Sequence, residues 1–367
     1  MLGLTQPKRR IEISDRPHSE RVSIILPILN EAPRIARCLD SLITQPEEVS
    51  EILVVDGGST DGSQKIIDHY HVLDPRVRLI DASPIDIRWT GKAWGLNLGL
   101  QRSYPQSNWI LTVDADVWVS PKLTRSLLAH AEKTGVTTFS VATRQHLSGT
   151  LDALLHPSML TTLIYRFGSP GRAQRDLHKV QANGQCFLSR RKLLLETEAF
   201  RAAQTSLCED ITIVRRLAES GTAVGFYESA GLVDVTMYEH WRETWNNWPR
   251  SLPMRDQYFG WREIVGWIGT LLIQALPLPA LLLGIFLGAP LWFLILSGVL
   301  FTLRIGVLFG LARAYPTKPW SYWLSPLADL PVLVRILQFA LRKRHSWRGR
   351  TYVRRKGGRF EAQAPSG

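Results

Sequence analysis

The stretch "ILTVDADVWVSP" (110–121) runs from an apolar segment, Ile110 to Val113, into two carboxylates one residue apart, Asp114 and Asp116. A short apolar, β-branched run of this kind reads as a strand buried on both faces. In an extended segment residues i and i+2 point to the same side, so both acids project together from the strand's carboxyl end. A core strand tipped with paired acids suggests a binding rim, provided that neighbouring strands also end in polar groups.

They do. "VSIILPIL" (22–29), "EILVVD" (51–56), "VRLID" (77–81), "WILTVD" (109–114), "TTFSVAT" (137–143) and "TAVGFYE" (222–228) are predicted strands. Helices are predicted over 31–44, 61–70, 91–103, 121–133 and 209–220. Strands that are apolar throughout and separated by helices predict an α/β fold with a mostly parallel sheet, covered on both faces. Ligands of such sheets bind beyond the carboxyl ends of the strands. "PILNEA" (27–32) brings Pro27 and Glu31 to that edge. "DGGSTDGS" (56–63) brings Asp56, followed by glycines that permit unusual dihedrals and by Ser59 or Thr60 as a helix cap. "IRWTGKAWGLNLGL" (87–100) places Lys92 at a helix start.

Two carboxylates on one side of a strand tip suit a hard divalent cation, Mg2+ or Mn2+, which prefers oxygen ligands. Such an ion bridges the phosphates of a nucleotide and stabilises a leaving diphosphate. The competing reading makes one acid a helix cap near Pro121 or a solvated loop residue; four strands delivering polar groups to one rim argue against it. Glu209 and Asp210 open another helix in "CEDITIVRRL" (208–217). They are either first-turn acids favoured by the helix dipole or a carboxylate pair poised to take a proton. Lys92 is either a surface lysine or a phosphate partner.

The formal net charge of +12 over 367 residues calls for an anionic partner: nucleic acid, a phosphorylated ligand or an anionic membrane. Cys38, Cys186 and Cys208 are scattered, with no metal-binding spacing, which fits a reducing compartment better than a disulfide scaffold. Residues 1–20 lack an apolar run and are expected to be a flexible tail without signal peptide or anchor. From about residue 260 the texture changes. "IVGWIGTLLIQALPLPALLLGIFLGA" (264–289) and "PLWFLILSGVLFTLRIGVLFGLARAY" (290–315) are each long enough to cross a bilayer of ~30 Å, as a hairpin kinked by Pro277 and Pro279. The stretch 322–341 carries Asp329 and Arg335 and leaves spanning, re-entrant and interfacial readings open. "RKRHSWRGRTYVRRKGGRF" (342–360) is densely basic, the mark of a cytoplasmic flank that favours anionic lipid. Because these basic residues abut apolar segments, the nucleic-acid reading loses its support and no nucleic-acid partner is expected. The expected organisation is a tail (1–20), a catalytic domain (21–235), an interfacial amphipathic segment (236–262), transmembrane or membrane-associated helices (263–341) and a basic cytoplasmic tail (342–367). The whole would be an integral or tightly bound membrane protein with its catalytic domain in the cytoplasm.

"VSIILPILNEAPRIARCLDSL", "EILVVDGGSTDGSQKII", "VDAD" (113–116), "GQCFLSRR" (184–191) and "CEDITIVRRL" follow one another in the order found in the family 2 glycosyltransferases, and residues 22–228 resemble that family. The resemblance implies a GT-A fold and transfer of a sugar from a nucleotide-diphosphate sugar. By it, Asp56 would contact the base, Asp114 and Asp116 the diphosphate and metal, and Asp210 would be the general base of an inverting reaction. Pro27, Glu31, Lys92, Glu209, Trp248 and Arg250 join the expected substrate-binding set. The Q-x-x-R-W motif of processive polysaccharide synthases is replaced by "HWRETWNNWPRSLPMRD" (240–256), which puts polymer synthesis in doubt. "RWTGKAW" (88–94), the late hairpin and "WRGRTY" (347–352) are similar instead to the branch that glycosylates membrane lipids, and "ETWNNWPRS" to carotenoid-glycoside enzymes. The expected acceptor is therefore the hydroxyl of an apolar lipid, with carotenoids among the candidates. Polyprenyl phosphate, a polysaccharide, or a non-catalytic scaffold or sugar-nucleotide sensor are the rivals.

Overall fold

Each apolar run forms its strand, with ends displaced by no more than two residues. The computed structural model describes residues 10–363. The chain begins β1 (Val22–Ile28), α1 (Ala32–Ile43), β2 (Val49–Asp56), α2 (Ser63–Leu73), β3 (Val77–Asp81), α3 (Gly91–Arg102) and β4 (Trp109–Val113). It continues through β5 (Val117–Val119), α4 (Leu123–Thr134), β6 (Thr138–Ala142), β7 (Arg144–Gln145), α5 (Thr150–Phe167), β8 (Arg172–Gln174) and β9 (Cys186–Arg190). After α6 (Arg191–Glu196) and α7 (Ala199–Ala202) come α8 (Glu209–Glu219), β10 (Val224–Glu228) and β11 (Val233–Val235). The main sheet has the order β3-β2-β1-β4-β9-β6-β10-β8. Its first four strands are parallel, and β9 runs antiparallel between β4 and β6. The carboxyl ends of β1, β2 and β4 therefore share one edge.

Glycine sets how closely α3 approaches that sheet. A Cβ on Gly99 would lie 2.5 Å from Ile25 Cγ2, and one on Gly95 would lie 3.0 Å from Pro27 Cβ. Without those methyls the helix presses onto β1 and β2, and its first turn delivers Lys92 to the strand tips.

Beyond the sheet lie α9 (Trp241–Asn247), α10 (Trp261–Thr270), α11 (Pro277–Phe286), α12 (Leu291–Leu311) and α13 (Asp329–Leu341). Leu291–Ala314 and Trp320–Leu341 are each long and apolar enough to cross a membrane. Trp261–Ala275 and Pro277–Leu287 meet at a bend of 51°, at the proline expected to kink the chain. Arg304 of α12 donates from Nε to Asp329 Oδ2 at 2.7 Å. Ser158 and Gln274 donate to Asp329 Oδ1, so one fully enclosed ion pair joins α5, α12, α13 and the bend.

Three expectations need correction. Residues 10–20 are not a loose tail: Ile11 is buried in the core, Arg10 pairs with Glu228 at 3.1 Å, and Ser14 N donates to Ser126 Oγ. Residues 1–9 lie outside the described residues. The segment 236–262, expected as one amphipathic segment, is broken into several pieces. It is the short α9, a tight 3-10 turn Trp248–Arg250 and a loop, whose Asp256 is buried against Arg215. The basic segment after α13 folds as a three-stranded antiparallel sheet, β12 (Arg344–Trp347), β13 (Arg350–Arg354) and β14 (Phe360–Ala362). Its His345, Tyr352 and Phe360 are buried, and Phe360 N donates to Thr205 O. These buried rings hold the strands on the catalytic domain while the charged residues between them stay at the surface. Residues 364–367 lie outside the described residues.

Candidate active site

The strand tips open into one cavity of about 460 Å³. Pro27, Glu31, Lys92, Asp114, Asp116, Glu209, Asp210, Trp248 and Arg250 all line it. Asp56 does not line it. Its carboxylate is buried and accepts hydrogen bonds from Ser59 N and Oγ and from Gln64 Nε2. It thus braces the β2–α2 loop, and Gly57 takes the lining position.

Charge in the cavity is organised around Lys92. Its ammonium lies 2.7 Å from Asp114 Oδ1 and 2.8 Å from Glu209 Oε1. Burial works against this cation, but the two carboxylates outweigh burial and raise its pKa. Lys92 therefore ties the end of β4 to the start of α8. Gly184 makes room for that bridge: a Cβ there would stand 2.9 Å from Lys92 Nζ.

Asp116 is differently placed. Its Oδ1 is buried without a hydrogen-bond partner among the described residues. Burial, then the charge of Asp114, pushes its pKa up to about 7. A buried carboxylate oxygen left without a donor suits a cation. Among the described residues no three His, Cys, Asp or Glu side chains gather as a metal cage. The Asp114–Asp116 pair thus fits an ion that takes one or two carboxylates and completes its shell with phosphate and water, as Mg2+ does.

Asp210 sits in the first turn of α8. Its Oδ1 accepts from Ile211 N at 2.8 Å and its Oδ2 from Gly184 N at 3.3 Å. Burial, then the neighbouring Glu209, raises its pKa to about 7. The helix cannot swing, because Arg215 further along it is enclosed between Asp256 at 2.7 Å and Glu263 at 3.2 Å. A carboxylate that titrates near neutrality and is held by two backbone N–H groups is a competent proton acceptor.

The C-terminal sheet contributes residues that the sequence reading left without a role. Trp347 pairs with Arg350, so Arg348 and Gly349 form a two-residue hairpin turn with φ of 48° and 75°. That is the mirror-image turn suited to twisted strands, and an X-Gly pair is its sequence signal. Arg348 at the turn forms an ion pair with Glu31 and donates to Asn30 O at 3.3 Å. Burial raises the Glu31 pKa and Arg348 opposes the rise. Arg250 lies over the Trp347 ring at 3.3 Å, and burial lowers its pKa to about 10. Trp248 packs on His156 with ring centroids 4.3 Å apart. Arg348 and Arg350 also line the cavity.

The cavity also has an apolar end. Leu160, Leu163, Ile164 and Phe167 of α5 line it with Val307 and Leu311, from the last turns of α12. A cation-and-carboxylate rim and an apolar wall on a long apolar helix thus share one enclosure.

The family model described as "Glycosyl transferase family 2" matches residues 23–197. Glycosyltransferase GlyA of Streptococcus pneumoniae is 31% identical over 108 residues, 29% of this chain and 14% of that protein. Glycosyltransferase GlyG of the same organism is 30% identical over 115 residues, 31% of this chain and 36% of that protein. The matched stretch thus spans about a seventh and about a third of these relatives' lengths. Among solved structures, the mannosyltransferase PcManGT from Pyrobaculum calidifontis, in complex with GDP-Man and Mn2+, superposes with a TM-score of 0.54 at 17% identity. The match covers 89% of this chain and 90% of that one. Residues 23–197 are thus similar to glycosyl transferase family 2, and the chain has the GT-A fold.

Proposed function

We propose that this chain transfers a single sugar from a nucleotide-diphosphate sugar to the hydroxyl of an apolar lipid dissolved in the membrane, with inversion at the anomeric carbon. The observation that carries this reading is the shared enclosure, in which the charged rim and the apolar wall of α5 and α12 line the same cavity. A soluble acceptor has no use for that wall. The resemblance of "ETWNNWPRS" to carotenoid-glycoside enzymes makes a carotenoid the acceptor to test first.

The residues divide the work. Lys92, Arg250 and Arg348 supply positive charge facing the diphosphate, with Arg348 exchanging Glu31 for a phosphate oxygen. Asp114 and Asp116 would hold a divalent cation, which when bound offsets the charge of the departing diphosphate. Asp210 takes the proton from the acceptor hydroxyl as its oxygen forms the bond to the anomeric carbon and the bond to the diphosphate breaks. The apolar wall orients a hydroxyl already concentrated in the bilayer, so that less entropy is lost at the reacting centre. Exposed Arg262, Arg313, Lys318 and Arg342 flank the apolar helices on the catalytic side, and the positive-inside bias favours the cytoplasm for that side.

Gly310→Trp tests the wall. The variant fills the apolar end at α12 and should abolish transfer to lipid while leaving nucleotide affinity unchanged. Undiminished transfer in this variant would contradict the assignment of the wall to the acceptor.

A further inference from the structure

Both ends of the apolar region return to the catalytic domain. Ser321 Oγ donates to Thr150 O, Arg335 reaches Asn246 Oδ1, and Arg255 donates to Ala340 O. The stretch Trp320–Leu341 thus lies along the domain from its first turn to its last. Trp320, Trp323, Leu324, Leu327, Val334 and Leu337 form an exposed stripe at helical spacing. Trp261, Ile264, Val265 and Ile268 make a similar stripe on α10. Exposed Arg262, Arg313, Lys318, Arg342 and Lys343 border these stripes, as cations border the headgroup layer of an anionic membrane.

α11 is short, and α12, although 21 residues long, is anchored in the protein partway along. α11 has 10 residues, about 15 Å at the α-helical rise. α12 is held at Arg304 by the enclosed pair with Asp329. From there to Leu291 is about 20 Å of helix, against a hydrocarbon core of ~30 Å. The side chains of the turn between the two helices are apolar, apart from the indole N–H of Trp292. From Ala275 to Leu296 there is no charged, amide or hydroxyl side chain. Phe286, Leu287, Leu291 and Trp292 at the tip are 84%, 74%, 71% and 66% exposed. A tip that emerged into water on the far side would leave these residues hydrated, at a cost of roughly 1.5–3 kcal/mol for each large apolar side chain.

We propose that the described chain is monotopic. The α11–α12 hairpin dips into one leaflet, turns inside the hydrocarbon at Leu287–Pro290, and returns. Meanwhile α10 and Trp320–Leu341 lie in the headgroup plane of an anionic bilayer. This rests on the lipid-acceptor reading, and it places the last turns of α12, which line the cavity, at the depth where the acceptor leaves the leaflet.

The test is a full-length Leu287→Cys variant, with Asp68→Cys, at an exposed position of α2, as the reference. The native Cys38, Cys186 and Cys208 are all buried and give little background. Each variant is reconstituted into sealed vesicles containing anionic phosphatidylglycerol, floated, and treated with a membrane-impermeant maleimide from outside, then after detergent. The Asp68→Cys thiol should label in the outward-facing population, and the Leu287→Cys thiol only after detergent. A bimane attached to the Leu287→Cys variant in detergent and then reconstituted should be quenched by lipids brominated near the tail ends and not by aqueous iodide. Labelling of the hairpin thiol from the face opposite the reference thiol would establish a spanning hairpin and overturn the proposal. Labelling from the same face would overturn it as well. Failure of the protein to float with vesicles would sink the membrane reading itself. Dimers that bury the hairpin in buffer, without vesicle binding, would assign it to self-association.

Discussion

Asp210→Asn separates proton transfer from binding, and the site specifies what the change should do. Burial and the adjacent Glu209 raise the Asp210 carboxyl from its ordinary 3.8 to about 7. The ionised fraction is then about half at neutral pH and about a tenth one unit lower, so kcat/KM for the donor, which reports the unliganded enzyme, should fall roughly tenfold per pH unit on the acid side. The variant loses the base, a loss of about 10²–10⁴-fold in kcat. Nucleotide affinity should stay, because among the described residues the Asp210 carboxylate accepts hydrogen bonds only from Gly184 N and Ile211 N. Stability follows from the sign of the shift. A carboxyl harder to ionise in the fold than in the unfolded chain destabilises the fold when charged. That cost is absent below the unfolded value of 3.8 and complete above the folded value of about 7. Removing the charge should therefore leave the melting temperature at neutral pH unchanged or raise it. Burial and Asp114 also raise the Asp116 pKa to about 7, but its proposed part is in donor binding, so nucleotide Kd measured across pH separates the two. The assay is kcat and kcat/KM against pH with labelled donor and lipid acceptor for both proteins. A variant within about tenfold of wild type would refute the base assignment, as would one that keeps the wild-type acid limb.

Other changes test the supporting geometry. Arg348→Ala should weaken nucleotide-diphosphate binding about 10–100-fold, the worth of a charge-assisted hydrogen bond. It should do so with little change in Tm; titration calorimetry reads the affinity and a thermal melt the stability. Gly99→Ala forces a methyl to within 2.5 Å of Ile25 and should cost about 1–3 kcal/mol, read as a lower denaturation midpoint at constant m. Arg304→Met leaves Asp329 enclosed and uncompensated, a loss of about 3–5 kcal/mol. The double variant with Asp329→Leu should recover much of it; no recovery in thermal melts would contradict the pairing.

The central strands were legible because they are buried on both faces and so carry uninterrupted apolar runs, as "VSIILPI" does in β1, whereas edge strand β3 is mostly half-buried. The rim was legible because carboxylates beyond such runs have few other reasons to be there. β7 has two residues and β5, β8 and β11 three each, too few to show a period, and these went unseen. Asp56 was assigned to the ligand because side-chain direction at a strand's last residue is decided by the following loop. Here Ser59 and Gln64 capture the carboxylate. The C-terminal sheet was hidden by its charge. Its basic residues suggested a lipid-bound tail, although the hairpin signal Arg348–Gly349 and the buried Tyr352 and Phe360 were present. The ion pair of Arg348 with Glu31 joins residues from opposite ends of the chain, and no local pattern announces such a contact.

The central claim is that sugar passes from a nucleotide to a lipid within this cavity. Its most direct measurement uses detergent-solubilised protein, radiolabelled UDP- and GDP-sugars, Mg2+ or Mn2+, and a total lipid extract that includes carotenoids. The account predicts label in the organic phase, lost with chelator and absent with Asp210→Asn. Label confined to water-soluble or precipitable polymer would contradict the lipid acceptor. No transfer to any phase, with nucleotide binding intact, would contradict catalysis itself.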